Sequence, residues 1–272
     1  MTDMPEQPDT APDPVLLTRD GAVATVTFNR PDAMNSLDLA MKQALLGVLQ
    51  AVADDADVRA VVLTGAGRAF SAGQDLREHI EGLKAGDASL GVTVRAHYNP
   101  AVTLLATMNK PVIAAINGVA AGAGASLAMA ADFRIMVDSA GLNLAFAGIA
   151  LSCDTGSSWH LPRLVGLAKA KELLLLPRTV RADECLALGL ATQVVSAEDF
   201  PAVVTDLART LADGPTLSYG SLRRAVLYSA THTFEESLAN EAELMTYTGA
   251  TADHHAAVEA FLAKRPPQFQ GR

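Results

Sequence analysis

The stretch PVIAAINGVAAGAGASLAMAAD (Pro111–Asp132) carries no charge before its last residue. It places three glycines, Gly118, Gly122 and Gly124, within seven positions. Val112–Ile116 is a short apolar run behind a proline and reads as a buried strand. The alanine-rich run after the glycines reads as a helix. A strand, a turn with almost no side chain and a helix leave the backbone open to close approach, by another chain segment or by a ligand.

The rest of the chain fits an α/β fold around that unit. Ala22–Phe28, Ala60–Leu63, Phe133–Val137 and Leu142–Phe146 read as further strands. Ser36 is placed to cap a helix whose apolar residues Leu37, Met41, Leu45, Val48, Leu49 and Val52 recur at helical spacing. Apolar strands alternating with helices imply strands buried on both faces. After Asp199 the pattern becomes helical: Ala202–Leu211, Leu217–Ser229, Phe234–Thr248 and Ala252–Ala263, with Gly214-Pro215 and Gly249 as breakers. Residues 1–14, rich in proline and acids, read as a disordered tail, 15–199 as the core and 200–272 as a helical section.

Composition removes several classes of function. Half of the 272 residues are apolar, enough for a large core, and the net charge of −9 argues against a general nucleic-acid or membrane-surface binder. An anionic ligand then needs local cations and backbone N–H groups. Cys153 and Cys185 form no CxxC pair and the histidines no HExxH, so no metal site is expected. The cysteine usage fits a reducing compartment, and a cytoplasmic protein is expected.

Four chemical readings compete. Gly122-x-Gly124 has the setting of a dinucleotide loop, but Leu127 stands where the third glycine belongs and Asp132 and Asp138 come too early for a ribose-binding acid. Gly124-Ala-Ser126-Leu-Ala128 approximates a nucleophile elbow, with Asp154 and His160 following in hydrolase order, against the plainer reading of Ser126 as a small helix residue bonded to its own backbone. The turns SAGQD (Ser71–Asp75) and AAGAGAS (Ala120–Ser126) serve equally well as an oxyanion hole or as tight helix–strand packing. Asp154 is either a helix N-cap or a carboxylate at the edge of a buried pocket, with its pKa raised toward neutrality.

Longer motifs stand in one register: NRPDAMNSL, VVLTGAGRAFSAGQDL, KPVIAAINGVAAGAGASLAMAADFRI, LPRLVGLAKAKELLLL, ALGLATQVV and AFLAKRPPQF. On these the chain resembles the crotonase (enoyl-CoA hydratase/isomerase) superfamily from about Val15 to Gln268. Its GRAFSAGQDL, Tyr98-Asn99-Pro100, AAGAGA and AFLAKRPPQF stretches are similar to the branch of isomerases acting on ring-epoxidised phenylacetyl-CoA. The resemblance implies a spiral of ββα units followed by a C-terminal helical section that oligomerises, in homotrimers or homohexamers. It implies an acyl-CoA substrate and no cofactor beyond the coenzyme A moiety of that substrate.

By position, the resemblance puts the oxyanion-hole N–H groups at Gln74 and Ala123. It puts coenzyme A contacts at Ala33, Met34, Ala72, Asp75, Leu76 and Arg77, with Lys264 or Arg265 near the phosphates. The two catalytic glutamates of the family's hydratases are replaced by Ser126 and Phe146, and neither serves as acid or base near neutral pH. One carboxylate remains, Asp154, in SCDTGSS where the branch has a more glycine-rich loop. Tyr98, Ser126, Phe146 and Trp159, with Leu151, are candidates for the acyl pocket. The expectation is an acyl-CoA isomerase that moves a proton with a single carboxylate; a hydratase with an atypical site, a weak CoA-ester binder and a Ser126 thioesterase are the alternatives.

Overall fold

A computed structural model of the chain describes residues 12–86 and 90–272. Residues 1–11 of the expected tail lie outside the described residues. The carbonyls of Asp13 and Pro14 accept hydrogen bonds from the side chain and backbone N–H of Asn29.

The chain opens with the antiparallel pair β1 (Val15–Asp20) and β2 (Val23–Phe28), then α1 (Leu39–Asp54). Three ββα turns follow. The first is β3 (Ala60–Gly65), β4 (Ala69–Ser71) and α2 (Leu76–Lys84), extended by α3 (Leu90–Thr93), a π-helical turn (Val94–Tyr98) and α4 (Asn99–Thr107). The second is β5 (Val112–Ile116), β6 (Val119–Ala121) and α5 (Ala123–Met129). The third is β7 (Phe133–Val137), β8 (Gly141–Asn143) and α6 (Ser157–Leu175). β9 (Thr179–Arg181), α7 (Ala182–Ala187) and β10 (Gln193–Val195) finish the spiral. The helices α8 (Phe200–Ala212), α9 (Thr216–Ser229), α10 (Phe234–Gly249) and α11 (Ala252–Leu262) end the chain.

Each turn gives its first strand to one sheet and its second to another. The sheets run β1-β2-β3-β5-β7-β10 and β4-β6-β8-β9, parallel except for β1/β2 and β8/β9. Alternation along β3, β5 and β7, with both faces covered, explains their predominantly apolar character. Val61, Leu63, Val112, Ala114, Ile116 and Met136 face the interior of the spiral. Ala60, Val62, Ile113, Ala115 and Ile135 face outward, under Val204, Ala208, Leu211 and Ala212 of α8. Thus α8, the first helix of the expected C-terminal section, covers the outer face of the main sheet. On α10 and α11, Leu238, Met245, Phe261 and Leu262 are exposed.

Two local expectations are corrected. Asp38, not Ser36, caps α1, its carboxylate accepting from Met41 N–H at 2.8 Å. Ser36 instead donates to Asp75 at 2.9 Å. The strand expected over Leu142–Phe146 is β8, which ends at Asn143; Phe146 lies beyond it and leads into a 3₁₀ turn at Ala147–Ile149.

Candidate active site

The glycine-rich turns meet where β4 and β6 end. The pair is in register at Ser71 and Ala120, so the segments after both strands, residues 72–74 and 121–123, run side by side. Gly73 has φ 83, and a Cβ there would lie 2.6 Å from the Ala121 carbonyl oxygen and 3.2 Å from Ala123 N. A Cβ on Gly124 would fall 2.5 Å from the Ser71 carbonyl oxygen and 2.8 Å from the Ser71 Cβ. Packing and open backbone, alternatives on sequence alone, are both present: the glycines press the two turns together, and the contact brings two N–H groups to one place.

Those groups belong to Gln74 and Ala123. Leu37 pins the first turn on both sides, its N–H donating to Gly73 O at 2.7 Å and its carbonyl accepting from Asp75 N at 3.2 Å. Among the described residues the Gln74 N–H between them has no backbone acceptor. Ala123 is the first residue of α5, where N–H groups lack partners inside the helix. Gly122 before it (φ 49) donates to the Asn143 carbonyl at 2.9 Å, which fixes the direction of the turn.

Both residues open on a cavity of about 140 Å³. Its wall includes Ala72 from the turn after β4, Leu76 and His79 from the start of α2, Val94 and Tyr98 from the π-helical turn, and Phe146, Leu151 and Asp154. Tyr98 is buried, and its hydroxyl donates to Gln74 Oε1 at 2.5 Å. Burial, with the charges of Asp154, Glu78 and Asp75 nearby, pushes the phenol pKa up, so Tyr98 stays neutral. The Gln74 amide also donates to Glu78 at 3.3 Å, and Glu78 pairs with buried Lys42 at 2.7 Å. The side chain of Gln74 is thus engaged and its backbone N–H left free.

Among the described residues Asp154 is the one carboxylate that lines the cavity. Burial raises its pKa, and a hydrogen bond from the Thr155 hydroxyl at 2.8 Å partly opposes the rise. It is no side-chain cap: Gly156, at φ 77, occupies the N-cap of α6, and only the Asp154 carbonyl is engaged, by Ser157 N at 2.9 Å.

Not every expected site residue reaches the cavity. Ser126 is fully buried outside it; its hydroxyl donates to the Gly122 carbonyl at 2.9 Å and lies 2.5 Å from the Ser157 hydroxyl. The plainer reading of Ser126 holds, and the elbow reading loses its nucleophile. His160 packs behind Gly156, where a Cβ would meet its ring at 3.1 Å. Burial, then Arg134 and Arg163, push its pKa down to about 4, so it is neutral. Trp159 is half-buried outside the cavity, its ring stacked 3.4 Å from the Arg163 guanidinium carbon. Of the acyl-pocket candidates, Tyr98, Phe146 and Leu151 line the wall; Ser126 and Trp159 do not.

Of the expected coenzyme A contacts, Ala72 and Leu76 line the cavity; Ala33, Met34, Asp75, Arg77 and Lys264 do not. Ala33 and Met34 form a tight turn with Met34 at φ 50, and the Met34 carbonyl accepts from Ala72 N at 2.9 Å. Leu76 and Arg77 are exposed in the first turn of α2. Asp75 is committed to the fold: it is buried, caps α2 through Arg77 N at 3.0 Å, and pairs with Arg30 at 3.0 Å. Lys264 and Arg265 are exposed after α11 and do not line the cavity. Sequence reasoning missed His79, Val94, Ile149 and Thr155. The spacing of Leu76 and His79 on α2 was the one available signal.

The model of the enoyl-CoA hydratase/isomerase family matches residues 18–272. The chain belongs to that family. It is 41% identical over 250 residues to the 1,2-epoxyphenylacetyl-CoA isomerase of Escherichia coli K12, covering 92% of this chain and 95% of the relative. It is 40% identical over 251 residues to a probable enoyl-CoA hydratase of Rhodobacter capsulatus, with the same coverage. A structure from Mycobacterium abscessus assigned to the enoyl-CoA hydratase/isomerases superposes with a TM-score of 0.91 at 41% identity, covering 95% of this chain and all of that one. The spiral of ββα units is therefore the crotonase fold. Isomerase and hydratase relatives are almost equally similar, so the residues of the cavity have to distinguish the reactions. Among the described residues no helix is long and apolar enough to cross a membrane.

Proposed function

We propose that this enoyl-CoA hydratase/isomerase acts as an acyl-CoA isomerase. The observation that carries the reading is Asp154, the one carboxylate lining the cavity among the described residues, opening on the same space as Gln74 and Ala123. The two N–H groups donate to the thioester oxygen and stabilise the negative charge it gains as an enolate. Asp154 takes a proton from one carbon of the acyl group and returns it to another, shifting a double bond or opening a strained ring ether. Its raised pKa suits a group that must both accept and release a proton near neutrality. Hydration needs one group to activate water and another to deliver its proton. With serine and phenylalanine at the two glutamate positions, the cavity offers no second carboxylate among the described residues.

The small cavity, walled by Tyr98, Phe146 and Leu151, suits a compact or aromatic acyl group better than a long chain. The coenzyme A moiety follows the rim at Ala33, Met34, Ala72, Leu76 and Arg77, with Lys264 or Arg265 of a neighbouring subunit near its phosphates in a homotrimer or homohexamer. No further cofactor is required. The test is Asp154→Asn, assayed on 3-enoyl-CoA and epoxyphenylacetyl-CoA substrates with mass-spectrometric detection of isomer, hydrate and free acid. Isomer formation is expected to fall by about 10³-fold or more with CoA-ester binding retained. A fully active variant, or a wild-type product that is mainly hydrate, defeats the reading.

A further inference from the structure

The loop that carries Asp154 has a residue of the wrong kind for its backbone. Thr155 has φ 52, the left-handed region, where a β-branched side chain is a genuine outlier. It is buried, 1% exposed, and Gly156 after it continues with φ 77. A glycine at 155 would make the same turn without strain. What glycine lacks is the hydroxyl, which donates to Asp154 Oδ1 at 2.8 Å. Among the described residues no other residue's side chain donates to that carboxylate; its one further hydrogen bond comes from the backbone N–H of Asp154 itself. Strain held in place by surrounding packing at a reacting group is a mark of function.

The loop is also fixed from behind. Ser157 follows it, and the Ser157 hydroxyl meets Ser126, whose hydroxyl reaches the Gly122 carbonyl beside Ala123. The loop that carries Asp154 and the turn before Ala123 are thereby joined through two buried hydroxyls. The titratable groups around Asp154 are few. Tyr98, from the π-helical turn, is neutral with its hydroxyl committed to Gln74. His79 of α2 lines the same cavity, and His160 of α6 lies neutral behind Gly156.

We propose that Thr155 is a positioning residue for proton transfer: its hydroxyl holds Asp154 Oδ1 and presents Oδ2 as the oxygen that receives the substrate proton. The C–H bond of the acyl group breaks, its electron pair moves onto the thioester, and an O–H bond forms at Oδ2; the reverse step delivers the proton to another carbon. Thr155 keeps its own proton throughout. The proposal rests on the assignment of Asp154 as the proton carrier.

The test compares Thr155→Val, Thr155→Ser and Thr155→Gly with Asp154→Asn. Carbon-13 NMR of protein labelled at aspartate Cγ follows the Asp154 titration without turnover, the signal being assigned by its loss in Asp154→Asn. Deuterium uptake from D₂O into phenylacetyl-CoA, read by mass spectrometry, follows proton transfer. Thr155→Val is expected to titrate at higher pH than wild type. Its exchange rate should be lower by about tenfold, the loss of one hydrogen bond to a charged group, at an unchanged half-saturating concentration. Thr155→Ser should restore both. Thr155→Gly should repeat the losses while melting no lower than wild type, which keeps the test valid if the valine variant folds poorly. A valine variant with wild-type titration and exchange overturns the proposal, as does slowed exchange with an unmoved titration, which marks Thr155 as packing alone. Wild-type exchange by Asp154→Asn instead defeats the assignment of Asp154 itself.

Discussion

Asp154 is held in surroundings that resist its charge. Burial raises its pKa and the Thr155 hydroxyl recovers only part of the rise. A carboxyl with a raised folded pKa binds its proton more tightly in the folded chain than in the unfolded one. Ionising it at neutral pH therefore weakens the fold, and the penalty fades as pH falls through the folded pKa. Asp154→Asn, which carries no charge, is expected to melt above wild type at pH 7. The advantage should shrink on acidification and vanish below the unfolded carboxylate value of about 3.9. Thermal melts between pH 3.5 and roughly pH 8 check this, and an asparagine variant no more stable at neutral pH would count against a buried, ionised Asp154. This residue was legible in the sequence because an acid in an apolar stretch needs a reason. Thr155 was not: no propensity announces a threonine at positive φ, which only the packed loop enforces. Ser126 misled in the other direction. Its position in the family pattern suggested the pocket wall, yet a hydroxyl four residues from a carbonyl on the same helix is satisfied without leaving the core.

At the scale of elements, α2 is the wall of the cavity most dependent on a single group. Asp75 caps it and also takes the Arg30 and Ser36 hydrogen bonds. Burial pushes the Asp75 carboxyl up, but Ser36, Arg30 and the N–H groups of Glu78 and Arg77 together hold its pKa below the usual value. A lowered folded pKa adds stability above the unfolded pKa and loses it as pH falls through the folded one. Asp75→Ala should cost on the order of 1–2 kcal/mol in urea unfolding at pH 7, with the difference from wild type shrinking below about pH 4. The Michaelis constant should rise more than kcat falls, because Leu76 and His79 stand on the first turn that frays. Equal unfolding midpoints at pH 7 would remove Asp75 from this role. The main-sheet strands β2, β3, β5 and β7 were readable as apolar runs, but β1 and β10 were not. Of the second sheet only β8 was anticipated, with its end misplaced, since β4, β6, β8 and β9 have three residues each, too few to display alternation.

For the molecule as a whole, Arg223 of α9 locks the terminal helices to the spiral. Its guanidinium pairs with Asp132 at 2.8 Å and donates to the carbonyls of Leu105 and Lys110 at 2.6 and 2.8 Å, and to that of Met108. Asp132 in turn accepts from Val112 N at the start of β5. Arg223→Met should destabilise the protein by about 3 kcal/mol, the order seen when one partner of a part-buried pair is removed. Turnover per folded molecule should be unchanged, since Arg223 is remote from the cavity wall. Denaturant titration alongside activity separates the two effects, and a loss below about 0.5 kcal/mol would show that α9 is docked by other contacts. The C-terminal helices were legible as helices, but the seat of α8 on the sheet was not, because sequence period shows which face is apolar and not what it meets.

The proposed oxyanion donors are main-chain amides on two successive coils of the spiral. A codon change can rewrite the lining of the cavity, yet it cannot delete an amide unless it writes proline. The charge-stabilising half of the chemistry is thus inherited with the fold, and the acid–base half is left open to replacement. Diversification in such a scaffold is cheap: exchanging a glutamate for a serine and a loop residue for an aspartate redirects the fate of the enolate without rebuilding what makes it.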